Sequence, residues 1–172
     1  MTENIGNNLI LVGALCGKTF IKSIGHMTAN LSFPIREYLY HLIDNSNNSM
    51  EIYIDLSETG YMDSTFMGLL VGVEKKTSKK FNTHLSIVNA SPKAIEYLEN
   101  LHLNKLLRMY KMEIPVDVIF CVFNDEFKVS ERNKTQIIFD AHQALSEICA
   151  ENESEFKSLQ AILKTKLEQD GI

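Results

Sequence analysis

The chain reads as an α/β protein: a mixed β-sheet of four to five strands covered by α-helices, followed by a C-terminal α-helical extension. Three observations point there. Short β-rich runs alternate with apolar stripes of three-to-four spacing up to about residue 112, the pattern of helices laid on a mixed or parallel sheet. Gly, Asn and Pro punctuate the joins between these runs. Beyond Pro115 the apolar residues trace helical faces instead. At 172 residues the chain is long enough for one domain with a hydrophobic core plus an appendage. The domain is placed at residues 1–112 and the mainly helical extension at 113–172.

Leu9 to Val12 forms an apolar run within Asn8 to Leu15, and Thr19 to Ile24 forms a second; both read as strands, with Gly13, Gly17 and Gly25 at turns or strand ends. Phe33, Ile35, Tyr38, Leu39, Leu42 and Ile43 then recur at helical spacing, with Ser32 as the expected cap and Pro34 in the first turn. Met50 to Leu56 reads as a strand feeding a turn at Glu58-Thr59-Gly60. After Asp63-Ser64, the run Phe66, Met67, Leu69, Leu70, Val71 and Val73 predicts a mostly buried helix. Lys75, Lys76, Lys79 and Lys80 suit its C-terminal end. His84 to Asn89 predicts a strand, Ser91-Pro92 caps a helix through Leu101, and Leu106 to Met112 predicts an edge strand. Val116 to Phe123 fits either a strand or a docking segment.

From Glu131, the apolar residues Ile137, Ile138, Ala141, Leu145 and Ile148, then Phe156, Leu159, Ile162, Leu163 and Leu167, predict two helices or one broken near Asn152. Such an extension folds back on the domain or joins a second copy. Dimerisation through these helices, or partner docking, is the expectation.

Composition narrows the function. Net charge is −5 and no Lys/Arg run exceeds two residues, so direct nucleic-acid binding is not expected. Met1 to Asn8 is polar and no stretch approaches the roughly 20 apolar residues of a membrane span; a cytoplasmic protein is expected. Cys16, Cys121 and Cys149 have no CxxC spacing and sit among apolar neighbours, which predicts buried thiols. Histidines 26, 41, 84, 102 and 142 show no ligand spacing, so neither a metal nor a cofactor is expected. Gly13-x-x-x-Gly17-Lys18-Thr19 is one residue short of a phosphate loop. A Ser64/His84 nucleophile pair lacks the Gly-x-Ser-x-Gly elbow, which leaves hydrolase chemistry without support.

The informative stretch is Asp55-Leu56 followed by Met62-Asp63-Ser64-Thr65-Phe66-Met67-Gly68-Leu69. Ser64 stands where a strand gives way to a helix, where its hydroxyl can cap a free N–H. A phosphate there carries about −1.5 to −2 charge beside helix-end N–H groups that tolerate it. A partner face shaped for a neutral hydroxyl would reject the dianion.

These residues, with the Asn89-Ala90-Ser91-Pro92 turn, resemble the STAS family, of the anti-sigma-factor antagonist type, over about Asn8 to Leu107. The resemblance implies a bacterial, non-catalytic partner-switching protein that regulates transcription indirectly. Unphosphorylated, such a protein binds an anti-sigma factor that is also a serine kinase of the GHKL type; phosphorylation at the position of Ser64 releases it, and a PP2C-type phosphatase reverses the change. The resemblance implies Ser64 as phosphoacceptor, with Asp63, Thr65, Phe66, Asp55, Thr28, Met67 and Asn89 around it or on the partner face. Phe66 replaces the family's usual Gly and is a candidate apolar anchor. The alternative is a non-switching STAS scaffold or lipid-transport accessory subunit, in which Ser64 is only a cap.

Overall fold

The computed structural model describes residues 8–124 and 129–169; all of the polar stretch Met1 to Asn8 except Asn8 lies outside them. Six strands form one mixed sheet: β1 (Leu9–Leu15), β2 (Lys18–Met27), β3 (Glu51–Met62), β4 (Ser86–Val88), β5 (Arg108–Tyr110) and β6 (Cys121–Val122), in the order β5-β4-β3-β2-β1-β6. Strands β2 to β5 run parallel, while β1 is antiparallel to both β2 and β6. The sixth strand, beyond the four to five expected, is the Val116 to Phe123 segment returning to the free edge of β1. Two residues of apolar sequence are too short for periodicity to announce a strand.

Helices α1 (Ala29–Asn45), α2 (Ser64–Phe81) and α3 (Pro92–Asn100) make the crossovers, and α4 (Glu131–Ser146) and α5 (Ala150–Gln169) form the extension. Alternation along β3 sends Ile52, Ile54 and Leu56 into the main core with α1, α2 and α3. Tyr53 faces the other way, stacked on Phe20 at 5.0 Å and covered by Val118, Met112 and Phe120. The chain after β5 thus serves as the second layer on the face that no helix of the core covers.

Several local expectations are corrected. Glu58-Thr59-Gly60 is strand, not turn: β3 continues to Met62 alongside β2, with register shifts between Lys22/Ile24 and Gly25/His26 absorbing the irregular residues. Helix α1 begins at Ala29 behind Thr28, so Pro34 lies inside it rather than in its first turn. The carbonyl that Pro34 leaves without a donor belongs to Asn30, an exposed residue. The thiols are not buried. Cys16 is exposed with φ 50° beside Gly17 at φ 76°, the two-residue turn that joins β1 to β2; Cys121 is exposed on edge strand β6, and Cys149 is half-buried. Apolar neighbours in sequence point to alternate faces of a strand, so they do not guarantee burial. No described helix is long and apolar enough to cross a membrane.

The extension is two helices, and the break falls at 147–149, just before Asn152. It folds back on the domain. Asn152 is 1 % exposed and its amide donates to the carbonyls of Leu101 (3.0 Å) and Leu145 (3.1 Å), which ties the hairpin to the end of α3.

Candidate functional site

Three elements meet at the C-terminal end of the central parallel strands. β2 delivers Thr28 to the start of α1, and β3 delivers Asp63 to the start of α2. Asp63 is the residue that holds this junction. Its Oδ1 accepts the Phe66 N–H (2.9 Å), its Oδ2 accepts the Ala29 N–H (2.7 Å), and its own N–H donates to the Met27 carbonyl (3.0 Å). One carboxylate therefore caps α2 and receives the first amide of α1, satisfying orphan donors at two helix ends.

This corrects the assignment of the cap to Ser64. The carboxylate one residue earlier takes that place, and Ser64 becomes the first helical residue with its hydroxyl released. Ser64 is half-buried, and its Oγ lies 2.8 Å from Nε2 of His142 on α4. The second ring nitrogen, Nδ1, sits 2.7 Å from the Ile138 carbonyl, which can only accept. Nδ1 thus carries the proton of the neutral ring, and Nε2 accepts from the Ser64 hydroxyl. His142 is 3 % exposed and meets the Phe156 ring of α5 edge-on at 5.0 Å.

Burial holds the His142 pKa below its ordinary value of 6.5, against the Ile138 hydrogen bond and the Asp63 charge, which both raise it. A histidine whose folded-state pKa is lowered contributes stability while neutral, above 6.5, and that contribution is lost as pH falls through the lowered value. The stability difference between wild type and His142→Leu, measured by urea unfolding, is expected to shift in favour of the variant as pH drops below 6.5. A pH-independent difference would contradict the burial of a neutral imidazole.

The remaining predicted residues separate into two groups. Thr65, Phe66 and Met67 share the first turn of α2 with Ser64, yet all are buried, Phe66 at 2 % exposure. Phe66, Leu70 and Val73 form one inward stripe, so Phe66 anchors the domain's own core and offers no surface. Thr28 lies close by as the residue before α1, its carbonyl accepting from Leu31, Ser32 and the Ser32 hydroxyl. Asp55 and Asn89 are not brought to Ser64. Asp55 is buried, accepts the Ser57 N–H at 2.8 Å, and lies seven strand residues before Met62, about 23 Å at 3.3 Å per residue. Asn89 pairs through its side chain with the backbone of Met112, clasping the chain that follows β5.

His84 is likewise elsewhere. It bonds Glu74 (2.6 Å), ten residues along α2 from Ser64, roughly 15 Å at 1.5 Å per residue. The histidine at Ser64 is His142, 78 residues away in sequence. Its signal in the sequence is slight: a single titratable residue within the apolar stripe Ile138, Ala141 and Leu145. Outside this site, His102, Cys149 and Glu151 bring one donor atom each within 4.8 Å of one another; three donors fall short of the four of a structural zinc site.

Comparison with known proteins places this architecture. The STAS domain model matches residues 19–113, more than half of the chain. No curated protein sequence matches significantly. Among solved structures the chain is similar to the anti-sigma factor antagonist SpoIIAA in its unphosphorylated form (16 % identity, TM-score 0.53, 60 % of this chain and 88 % of that one). It is also similar to an anti-sigma factor antagonist from Mycobacterium paratuberculosis (18 %, 0.50, 59 % and 83 %). A third similar structure is the Bacillus cell fate determinant SpoIIAA in the phosphorylated form (16 %, 0.50, 60 % and 91 %). These identities speak for the fold alone, whereas the family match rests on the sequence itself. With a mixed sheet, its helical crossovers and an Asp-Ser junction between β3 and α2, the chain belongs to the STAS domain family.

Proposed function

We propose that this protein is an anti-sigma-factor antagonist whose binding is controlled by phosphorylation of Ser64. The observation that carries the reading is the position of that hydroxyl: first residue of α2, on a half-buried residue, immediately behind a cap already satisfied by Asp63. Because Asp63 and not Ser64 closes the helix, Ser64 is free to change chemically without costing α2 its cap. The fold also occurs in a protein whose solved structures include an unphosphorylated and a phosphorylated form. Under this reading the partners are a GHKL-type anti-sigma kinase and a PP2C-type phosphatase in the cytoplasm of a bacterium, and the chain supplies no catalytic group.

A phosphate at Ser64 adds about −1.5 to −2 charge close to the Asp63 carboxylate. A face that buries the neutral hydroxyl must then desolvate or repel a dianion, at a cost of several kcal/mol, where about 1.4 kcal/mol is a tenfold change in affinity. Incubation with a host extract and ATP, followed by mass spectrometry, is expected to place phosphate on Ser64, and Ser64→Asp is expected to weaken partner binding by about a hundredfold or more. Label elsewhere with Ser64 unmodified, or Ser64→Asp binding as wild type does, would refute the switch.

One observation favours a second reading, a non-switching STAS scaffold: the Ser64 hydroxyl is already engaged by buried His142. In a scaffold, Ser64→Ala and Ser64→Asp affect stability but leave partner affinity equal to one another.

A further inference from the structure

The first two turns of α2 are buried all round, residues 65–71 without a break. The sheet accounts for one side only. The other is occupied by α4, whose buried residues Thr135, Ile137, Ala141, His142 and Leu145 lie along one stripe. The approach is close: a Cβ on Gly68 would lie 2.5 Å from the Ala141 carbonyl oxygen and 2.6 Å from its Cβ, so only glycine at position 68 lets α4 sit there. Two ion pairs border the contact, Arg36 to Asp140 at 2.8 Å and Lys75 to Glu147 at 2.6 Å. Helix α5 braces α4 from outside, with Phe156 against His142 and the Gln160 amide donating to the His142 carbonyl at 3.1 Å.

The hydrogen bond between Ser64 and His142 is thus the point where an internal helix reads the state of the same hydroxyl. We infer that the α4–α5 hairpin is a built-in partner for the Ser64 face of α2, docked while Ser64 is a neutral hydroxyl and expelled when Ser64 carries negative charge. This rests on the reading of Ser64 as phosphoacceptor. In the modification, a nucleoside triphosphate gives up its terminal phosphoryl group: a bond forms between phosphorus and the Ser64 oxygen, the bond to the leaving nucleoside diphosphate breaks, and the hydroxyl proton passes to a general base of the kinase. The donor to His142 Nε2 leaves with that proton. Nε2 then has no hydroxyl to accept from, and the backbone contact at Gly68 and Ala141 leaves α4 no slack to accommodate the added group.

The geometry also specifies what a partner in trans must offer to occupy the face in place of α4. It is a helix with a small residue opposite Gly68, a hydrogen-bond acceptor at Ser64, and acidic groups for Arg36 and Lys75. The exposed Lys75 pair contributes little affinity and serves orientation. Small side chains and the acceptor decide whether the helix fits.

Amide hydrogen exchange on the full chain tests the latch without any kinase. In Ser64→Glu, amides 137–145 of α4 are expected to exchange at least about tenfold faster than in wild type, with protection in β2 and β3 unchanged. Wild-type protection of α4 in that variant would overturn the inference. Should Ser64→Glu lose protection in the sheet as well, Ser64→Asp decides: it places the charge at the same position on a shorter side chain and leaves the Asp63 cap intact, and wild-type protection of α4 there overturns the latch. Phosphate mapping reports separately on the parent reading. Release of α4 by Ser64→Glu together with no phosphate on Ser64 retains the charge-sensitive latch and removes its proposed physiological trigger.

Discussion

Replacing Gly68 by valine is expected to lower the unfolding free energy by about 3 kcal/mol and to free α4 while the sheet stays folded. Helix propensity alone argues the opposite sign, since glycine is a poorer helix former than valine in mid-helix, though only by roughly 0.3–0.5 kcal/mol. The contact decides. The neighbours that a side chain at 68 would meet at 2.5–2.7 Å are the Ala141 carbonyl oxygen, carbonyl carbon and Cβ, and backbone cannot rotate out of the way as a side-chain end can. Helix α4 must therefore translate as a body, giving up the burial of Ile137 and Leu145 and the bond from His142 to Ser64. Urea denaturation gives the loss of stability and amide exchange locates it. A variant as stable as wild type, with α4 still protected, would mean that the two helices do not pack this closely.

Asp63→Ala is expected to cost a similar amount, about 3 kcal/mol, because one carboxylate receives an amide from each of two helices. Loss of a cap is typically about 1 kcal/mol, and hydrogen bonds to a charged acceptor contribute about 1.5–3 kcal/mol each. The sum is not strictly additive, since both bonds share a single group. Asp63→Asn retains one good acceptor and is expected to recover roughly half of the loss. Thermal or urea unfolding of the two variants checks this order, and Asp63→Ala unfolding at the wild-type midpoint would remove Asp63 from the role of joining α1 to α2. The consequence for function is direct: the residue beside the phosphoacceptor holds the platform, which leaves the serine free to be the variable part.

Much of this was legible beforehand. The alternation of β-rich runs with helical stripes predicts β1 to β5 and α1 to α3, because each stripe must bury its apolar side on a neighbouring layer. The Asp63-Ser64 pair at a strand-to-helix junction marks the site without any coordinates. Boundaries were less readable. Glu58-Thr59-Gly60 carries turn-forming residues, yet parallel pairing with β2 extends the strand through them, since hydrogen bonding along the ladder outweighs local preference. Ser64 and Asp63 are both good capping residues, and only the backbone path shows that Asp63 stands at the cap. A departure from glycine marks Phe66 as a candidate surface anchor in the sequence, whereas its spacing with Leu70 and Val73 places it on the inward stripe, where the fold buries it.

The amino-acid sequence by itself determined the strands and helices of the core other than β6, the family and the chemical identity of the junction, because periodicity and capping act between residues a few positions apart. It did not determine where the C-terminal helices go. An apolar stripe records that a helix must be covered, but not by what, so α4 was equally compatible with a second copy, a foreign partner or its own domain. Tertiary structure chose the last: glycine at 68 and alanine at 141 permit an approach that larger side chains forbid, and this brings His142 across 78 residues to the one hydroxyl on which the proposed switch depends.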